Sequence, residues 1–267
     1  MIVSSILGLL VGVVLGLTGA GGGILAVPAL VFGMGWTMQQ ATPVALIAVA
    51  GGAAVGAVEG LRKRLVRWRA ALLMALAAFP CTFLGVHSAH QLPQRWLIGI
   101  FAAVMLLVAA RLLGGARRNA EPATESSMAL ARIDAKTGRI HWTWPTAALI
   151  AAIGAVTGFM TGLLGVGGGF VIVPLLRRYS GVSMHGVVAT SLMVIAAVSS
   201  GGVAIALLHG AVLPLPATAW FAGATAAGML LGRRLVKTLS ARQVQYGFAL
   251  VLALVACGLL VKSLAAI

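Results

Sequence analysis

The chain has 267 residues, 61% of them hydrophobic and 9% charged, with a mean hydropathy of +1.07. A soluble domain is about half apolar and roughly a quarter charged, so a globule could not hide this much apolar surface and the solvent must be lipid. The net charge of +15, from 19 Lys and Arg against 4 Asp and Glu, fits loops retained on the cytoplasmic side of a membrane better than nucleic-acid binding.

Apolar runs fall at 2–34, 40–60, 70–88, 95–113, 146–176, 184–208, 213–232 and 243–265. A helix needs about 20 apolar residues to cross the hydrocarbon core, and six of the eight runs suit a single crossing. The first and fifth are longer, and each contains three consecutive glycines followed five residues later by proline. No basic stretch precedes the first run and no cleavage-like site ends it, so it reads as mature protein. Between Gly114 and Pro145 lies a polar linker holding Glu121, Glu125 and Asp134. Its Asn119–Ser127 part reads as flexible, and Ile133–Trp142 as a small hairpin. Cys81 and Cys257 lie far apart in apolar runs and read as free thiols.

An internal repeat organises the whole chain. Residues 8–30 and 154–176 share 11 of 23 positions at an offset of 146, including every glycine of the first block. Later anchors such as Leu46 with Leu192 and Gly85 with Gly232 continue the match. The chain therefore reads as an N-terminal membrane repeat (1–113), a cytoplasmic linker (114–145) and a C-terminal membrane repeat (146–267). Charge reverses between equivalent loops. Arg62, Lys63, Arg64, Arg67 and Arg69 follow the second run, whereas the matching turn at His209 has no Lys or Arg; Arg233, Arg234, Lys237 and Arg242 match a loop holding Arg95 alone. By the positive-inside rule the repeats have opposite orientations.

Inversion requires the first run of each repeat to enter and return, and Gly21–Gly23 and Gly167–Gly169 are the places to turn. The piece after the first turn, Ile24–Met34, spans about 16 Å as helix, half a bilayer. A re-entrant hairpin follows, with both termini outside. This arrangement places 17 basic residues inside and two outside, against 12 and seven for eight unbroken crossings. The expected fold is an all-α polytopic membrane protein of two inverted repeats, each a glycine-broken segment plus three transmembrane helices.

Gly8, Gly12 and Gly16 have GxxxG spacing, which allows close helix packing. The triple glycines lack that spacing. Non-helical backbone at membrane depth survives only where protein or a watery cavity satisfies it. Two broken segments entering from opposite faces can bring their tips together near the midplane. The helices beginning there would aim free N–H groups and positive dipole ends at one spot, which attracts an anion.

Residues 16–30 and 162–176 both read GxxGxGGGxxxVPxL. With this duplicated block and Ala189-Thr190-Ser191-Leu192, the sequence resembles the sulfite exporter TauE/SafE family, also called the toluenesulfonate uptake permease family, over nearly its whole length. The first half departs from the pattern with Ala41-Thr42-Pro43-Val44. The resemblance implies a secondary transporter of the bacterial inner membrane for small sulfur-containing or organic anions, such as sulfite, sulfonates or sulfoacetate. Substrate-binding candidates are Gly19, Gly21, Gly22 and Gly23 with Thr42 in the first half, and Gly165, Gly167, Gly168 and Gly169 with Thr190 and Ser191 in the second. Hydroxyls and backbone N–H groups can hold an oxyanion without binding it too tightly for release; the same hydroxyls can instead bond to their own helix carbonyls.

Two residues are candidates for proton coupling. Glu59, the acid outside the linker, precedes five cations, so an ion pair is the plainer reading and coupling would require it to face the cavity. His209 is the second, because histidine is the side chain type suited to carrying protons at physiological pH. The histidines lack metal-ligand spacing, and no cofactor or metal is expected. The glycine block sits between apolar runs and not after a strand, which argues against a dinucleotide loop and against an enzyme. The expected partners are a small anion, protons or sodium as coupling ions, and the lipid bilayer; a homodimer is allowed. An anion-selective channel of the same architecture is the alternative.

Overall fold

A computed structural model describes residues 2–19, 22–118, 143–179, 183–211, 213–236 and 238–265. Every regular element among them is helical. The first apolar run divides into α1 (Ile2–Thr18), a 3-10 turn (Gly22–Leu25) and α2 (Ala26–Gly33). Three long helices follow: α3 (Met38–Arg62), α4 (Trp68–Gln91) and α5 (Gln94–Arg118). The fifth run divides likewise into α6 (Trp144–Leu164) and α7 (Gly169–Tyr179), before α8 (Met184–Leu208), α9 (Leu215–Leu235) and α10 (Ala241–Ala265). Seven of these are long and apolar enough to cross a membrane: α3, α4, α5, α6, α8, α9 and α10. Their outer faces carry exposed Leu72, Leu76, Phe79, Leu250 and Leu254, side chains that only lipid tolerates in such number.

Local chemistry sets the helix starts. Thr37 caps α3 through a capping box with Gln40, and Ser183 caps α8 by accepting from the Gly186 N–H. Thr143 caps α6, with Pro145 in its first turn, so that helix starts just before the apolar run. The expected hairpin and flexible stretch of the linker lie outside the described residues.

Packing crosses between the sequence repeats. Gly8, Gly12 and Gly16 of α1 lie against the backbone at Phe221, Thr225 and Met229 of α9. Gly154, Gly158 and Gly162 of α6 lie in the same way against Met74, Ala78 and Thr82 of α4. A Cβ at any of the six would collide with a carbonyl oxygen, so glycine permits this approach. Both ladders run parallel, and an offset of 146 or 147 turns one into the other. The central helices α3 and α8 run antiparallel: Gly60 meets Ala189, Gly56 meets Leu192 and Gly202 meets Leu46. At the periphery the start of α10 meets the end of α5, where Gln245 Nε2 donates to the Leu112 carbonyl at 2.7 Å.

The molecule has two chemically distinct ends. At the basic end, Glu59 of α3 pairs with Lys63 (2.6 Å) and with Arg233 of α9 (3.0 Å). The loop at 62–69 and Arg233 therefore share one end. At the other end Ser4 of α1 donates to the Ala217 carbonyl, and Lys262 donates to the Val31 carbonyl where α2 finishes. The first run thus enters from this second end and returns to it.

Candidate functional site

A cavity of about 700 Å³ opens at the end opposite the basic cluster. Its mouth carries Trp36, Gln39, Gln40, His90 and His209. The His90 and His209 rings stack with centroids 5.7 Å apart, and His209 Nδ1 lies 2.9 Å from the Ile205 carbonyl. Thr42 lines the wall while its hydroxyl donates to the Met38 carbonyl at 2.8 Å. Leu46, the lining residue furthest along α3 from the mouth, forms the floor with Gly162.

Beneath that floor the two glycine breaks meet. Gly23 lies beside the Val166 carbonyl and Val49, and Gly167 beside Val49, Ile195 and the Ser199 hydroxyl. Val49 and Ile195 are themselves equivalent at an offset of 146. The expected turn glycines thus come together, Gly23 and Gly167 sharing Val49 as a neighbour, while the apices at Gly19 and Gly165, where the preceding helices end, stay apart. Gly19 sits against Val188, toward the basic end, and Gly165 against Thr42, toward the cavity. The segments after the apices reach the centre, because each must double back along its own preceding helix before starting a new one. Gly21 lies outside the described residues.

The two breaks differ in build. In the first, Gly19 has a positive φ (77°) and the Gly22 N–H donates to the Thr18 hydroxyl (2.8 Å), which in turn donates to the Val14 carbonyl. In the second, Gly165, Gly167 and Gly168 all have positive φ (72°, 67° and 63°), a conformation that side chains oppose, and Gly169 opens α7 directly. Gly168 faces Thr157 and Thr161 of α6.

The other expected site residues are placed apart from the cavity. Thr190 is buried and its hydroxyl accepts the Arg67 N–H at 3.0 Å, joining α8 to the basic loop. Ser191 is buried and donates to the Val187 carbonyl at 2.7 Å. Glu59 stands in its ion pairs at the basic end, whereas His209 faces the cavity.

The family model described as "Sulfite exporter TauE/SafE" matches residues 4–259. The chain belongs to the TauE/SafE family. Curated relatives agree in character. A "Probable membrane transporter protein" of Xylella fastidiosa (strain 9a5c) is 33% identical over 168 residues, 62% of this chain and 59% of that protein. The "Probable membrane transporter protein YunE" of Bacillus subtilis (strain 168) is 26% identical over 272 residues, covering 97% of both chains. The "Probable membrane transporter protein MamO" of Paramagnetospirillum magneticum (strain ATCC 700264 / AMB-1) is 27% identical and covers 95% of this chain but 43% of its own. No solved structure matches the chain.

Sequence reasoning passed over three residues of this TauE/SafE chain that cluster at the second break: Thr157, Thr161 and Ser199. A signal for them existed. Their equivalents in the first repeat are Val11, Leu15 and Ala53, so hydroxyls stand in one copy where apolar groups stand in the other. His90 was also unremarked as a partner for His209, because 119 residues separate them.

Proposed function

We propose that this TauE/SafE protein is a secondary transporter carrying small sulfur-containing or organic oxyanions by alternating access. The observation that carries the reading is the one-ended cavity: it reaches from the mouth to Leu46 and stops above the glycine breaks, while the Glu59–Arg233 pair and the Arg67–Thr190 bond close the other end. A path open at one end and sealed at the other, with helix breaks between, is the arrangement a carrier alternates.

Antiparallel packing of the equivalent helices α3 with α8, and α5 with α10, supports reading the two halves as inverted repeats. The positive-inside rule then turns the basic end to the cytoplasm and the cavity outward, across the bacterial inner membrane. Substrate binds where the breaks meet, near Gly167–Gly169. His209 at the mouth is the better placed candidate for proton coupling, since Glu59 is held by two cations.

Counterflow in proteoliposomes tests the proposal. External sulfite, methanesulfonate or sulfoacetate should drive saturable exchange of internal labelled substrate. Single-channel currents instead would establish the channel, and absence of any flux would defeat both.

A further inference from the structure

Hydroxyls on membrane helices ordinarily bond to the carbonyl one turn back, since no water is at hand. Thr42, Thr82, Thr161, Ser191 and Thr225 all do so here. Thr157 and Ser199 do not. Both are fully buried, and neither Thr157 Oγ1 nor Ser199 Oγ has a hydrogen-bond partner among the described residues. Both stand at the second glycine break. Ser199 Oγ lies 3.1 Å from where a Cβ of Gly167 would be, and the Thr157 methyl, on the carbon that also carries its hydroxyl, occupies the space that a Cβ of Gly168 would take. The break opens α7, an eleven-residue helix in which the Gly168 carbonyl takes the Val171 and Ile172 N–H groups, leaving those of Gly169 and Phe170 without an intrahelical acceptor.

We propose that the transported oxyanion is held by the second break alone, its oxygens accepting from the Gly169 and Phe170 N–H groups and from the Ser199 and Thr157 hydroxyls. This deepens the transport reading above and rests on it. The first break serves as scaffold: the Thr18 hydroxyl already takes the Gly22 N–H, and Val11 and Ala53 stand where Thr157 and Ser199 stand in the other copy. Every donor at the second break is neutral. Such a set suits a small anion that must be released again, and a helix N-terminus supplies partial positive charge without a cation. Access from the cavity is controlled by Leu46, whose Cδ1 lies against Gly202 beside Thr82 and Thr161. Its side chain must swing aside before substrate descends.

The test is sulfite and methanesulfonate binding to purified full-length protein by calorimetry, paired with melting temperature and counterflow. Ser199→Ala should weaken binding at least tenfold while melting no lower than wild type, because it deletes a hydroxyl that has no partner to lose. Thr157→Val should weaken binding similarly, and Thr157→Ser, which keeps the hydroxyl, should restore it. Thr18→Val should lower the melting temperature with affinity within twofold of wild type. Wild-type binding with Ser199→Ala and Thr157→Val both within twofold of it would overturn this assignment and leave the transport reading standing. Wild type that neither binds nor exchanges any tested anion would defeat both together.

Discussion

The two ends of the molecule are built on one backbone plan and closed by different chemistry. At the basic end Glu59, Lys63 and Arg233 draw α3 and α9 together, with Leu192 packed beneath against Gly56. The positions equivalent to these at the other end are Ile205, His209, Val86 and Leu46. Among the described residues no carboxylate stands there to draw α8 toward α4, and a cavity stands in place of the seal. Side-chain charge thus draws one end together, and the equivalent positions at the other end border an open cavity.

The scaffold itself should be indifferent to that contrast. Gly12→Leu and Gly158→Leu drive side chains into backbone on equivalent ladders and should each cost more than about 3 kcal/mol. Both should abolish monodisperse protein in detergent; a ladder that tolerated leucine on one side alone would break the equivalence. Next in size, Leu46→Trp should plug the cavity floor in a folded protein and reduce counterflow at least about a hundredfold, since steric occlusion leaves no alternative route.

His209→Gln and Glu59→Gln separate the ends by coupling. The first should uncouple substrate uptake from an imposed proton gradient, and the second should leave coupling intact. Uncoupling by Glu59→Gln with His209→Gln unaffected would reverse the assignment. Glu59→Gln should act instead on the resting population. The Glu59 and Arg233 side chains are 39% and 27% exposed, so screening limits the pair to about 1 kcal/mol, roughly fivefold in the occupancy of the state open at the basic end. A cysteine placed at Ala57 should become labelled faster by about that factor. Smallest of all, Lys63→Ala should change labelling by less than about twofold, because Lys63 is 61% exposed and its ion pair contributes little.

Several features were legible in the residues alone. The duplicated GxxGxGGGxxxVPxL block located both helix breaks and their short returning helices. Spacing at Gly8, Gly12 and Gly16 foretold close packing. The cation distribution placed 62–69 and Arg233 together, and their shared partner Glu59 joins them. Each depends on composition or period along a short stretch, which lipid and backbone geometry constrain wherever the stretch ends up.

Partnership between distant stretches was a different matter. The sequence does not say that α1 packs on α9 while α6 packs on α4, because both ladders offer the same small-residue face and only complementary relief, across 213 residues in one ladder and 80 in the other, selects the mate. Gly23 and Gly167 were expected to meet and do so beside Val49, but nothing in the spacing says that the helices before them end at Gly19 and Gly165, toward opposite ends. Thr190 and Ser191 could have lined a pocket or bonded within the fold; Thr190 accepts the Arg67 N–H and Ser191 donates to its own helix. Whether a hydroxyl is satisfied depends on what the fold sets within 3 Å of it. Residue type and spacing determined where the chain bends, which runs are apolar enough for lipid and which loops carry charge; the tertiary arrangement alone decided which bend keeps two buried hydroxyls without a partner.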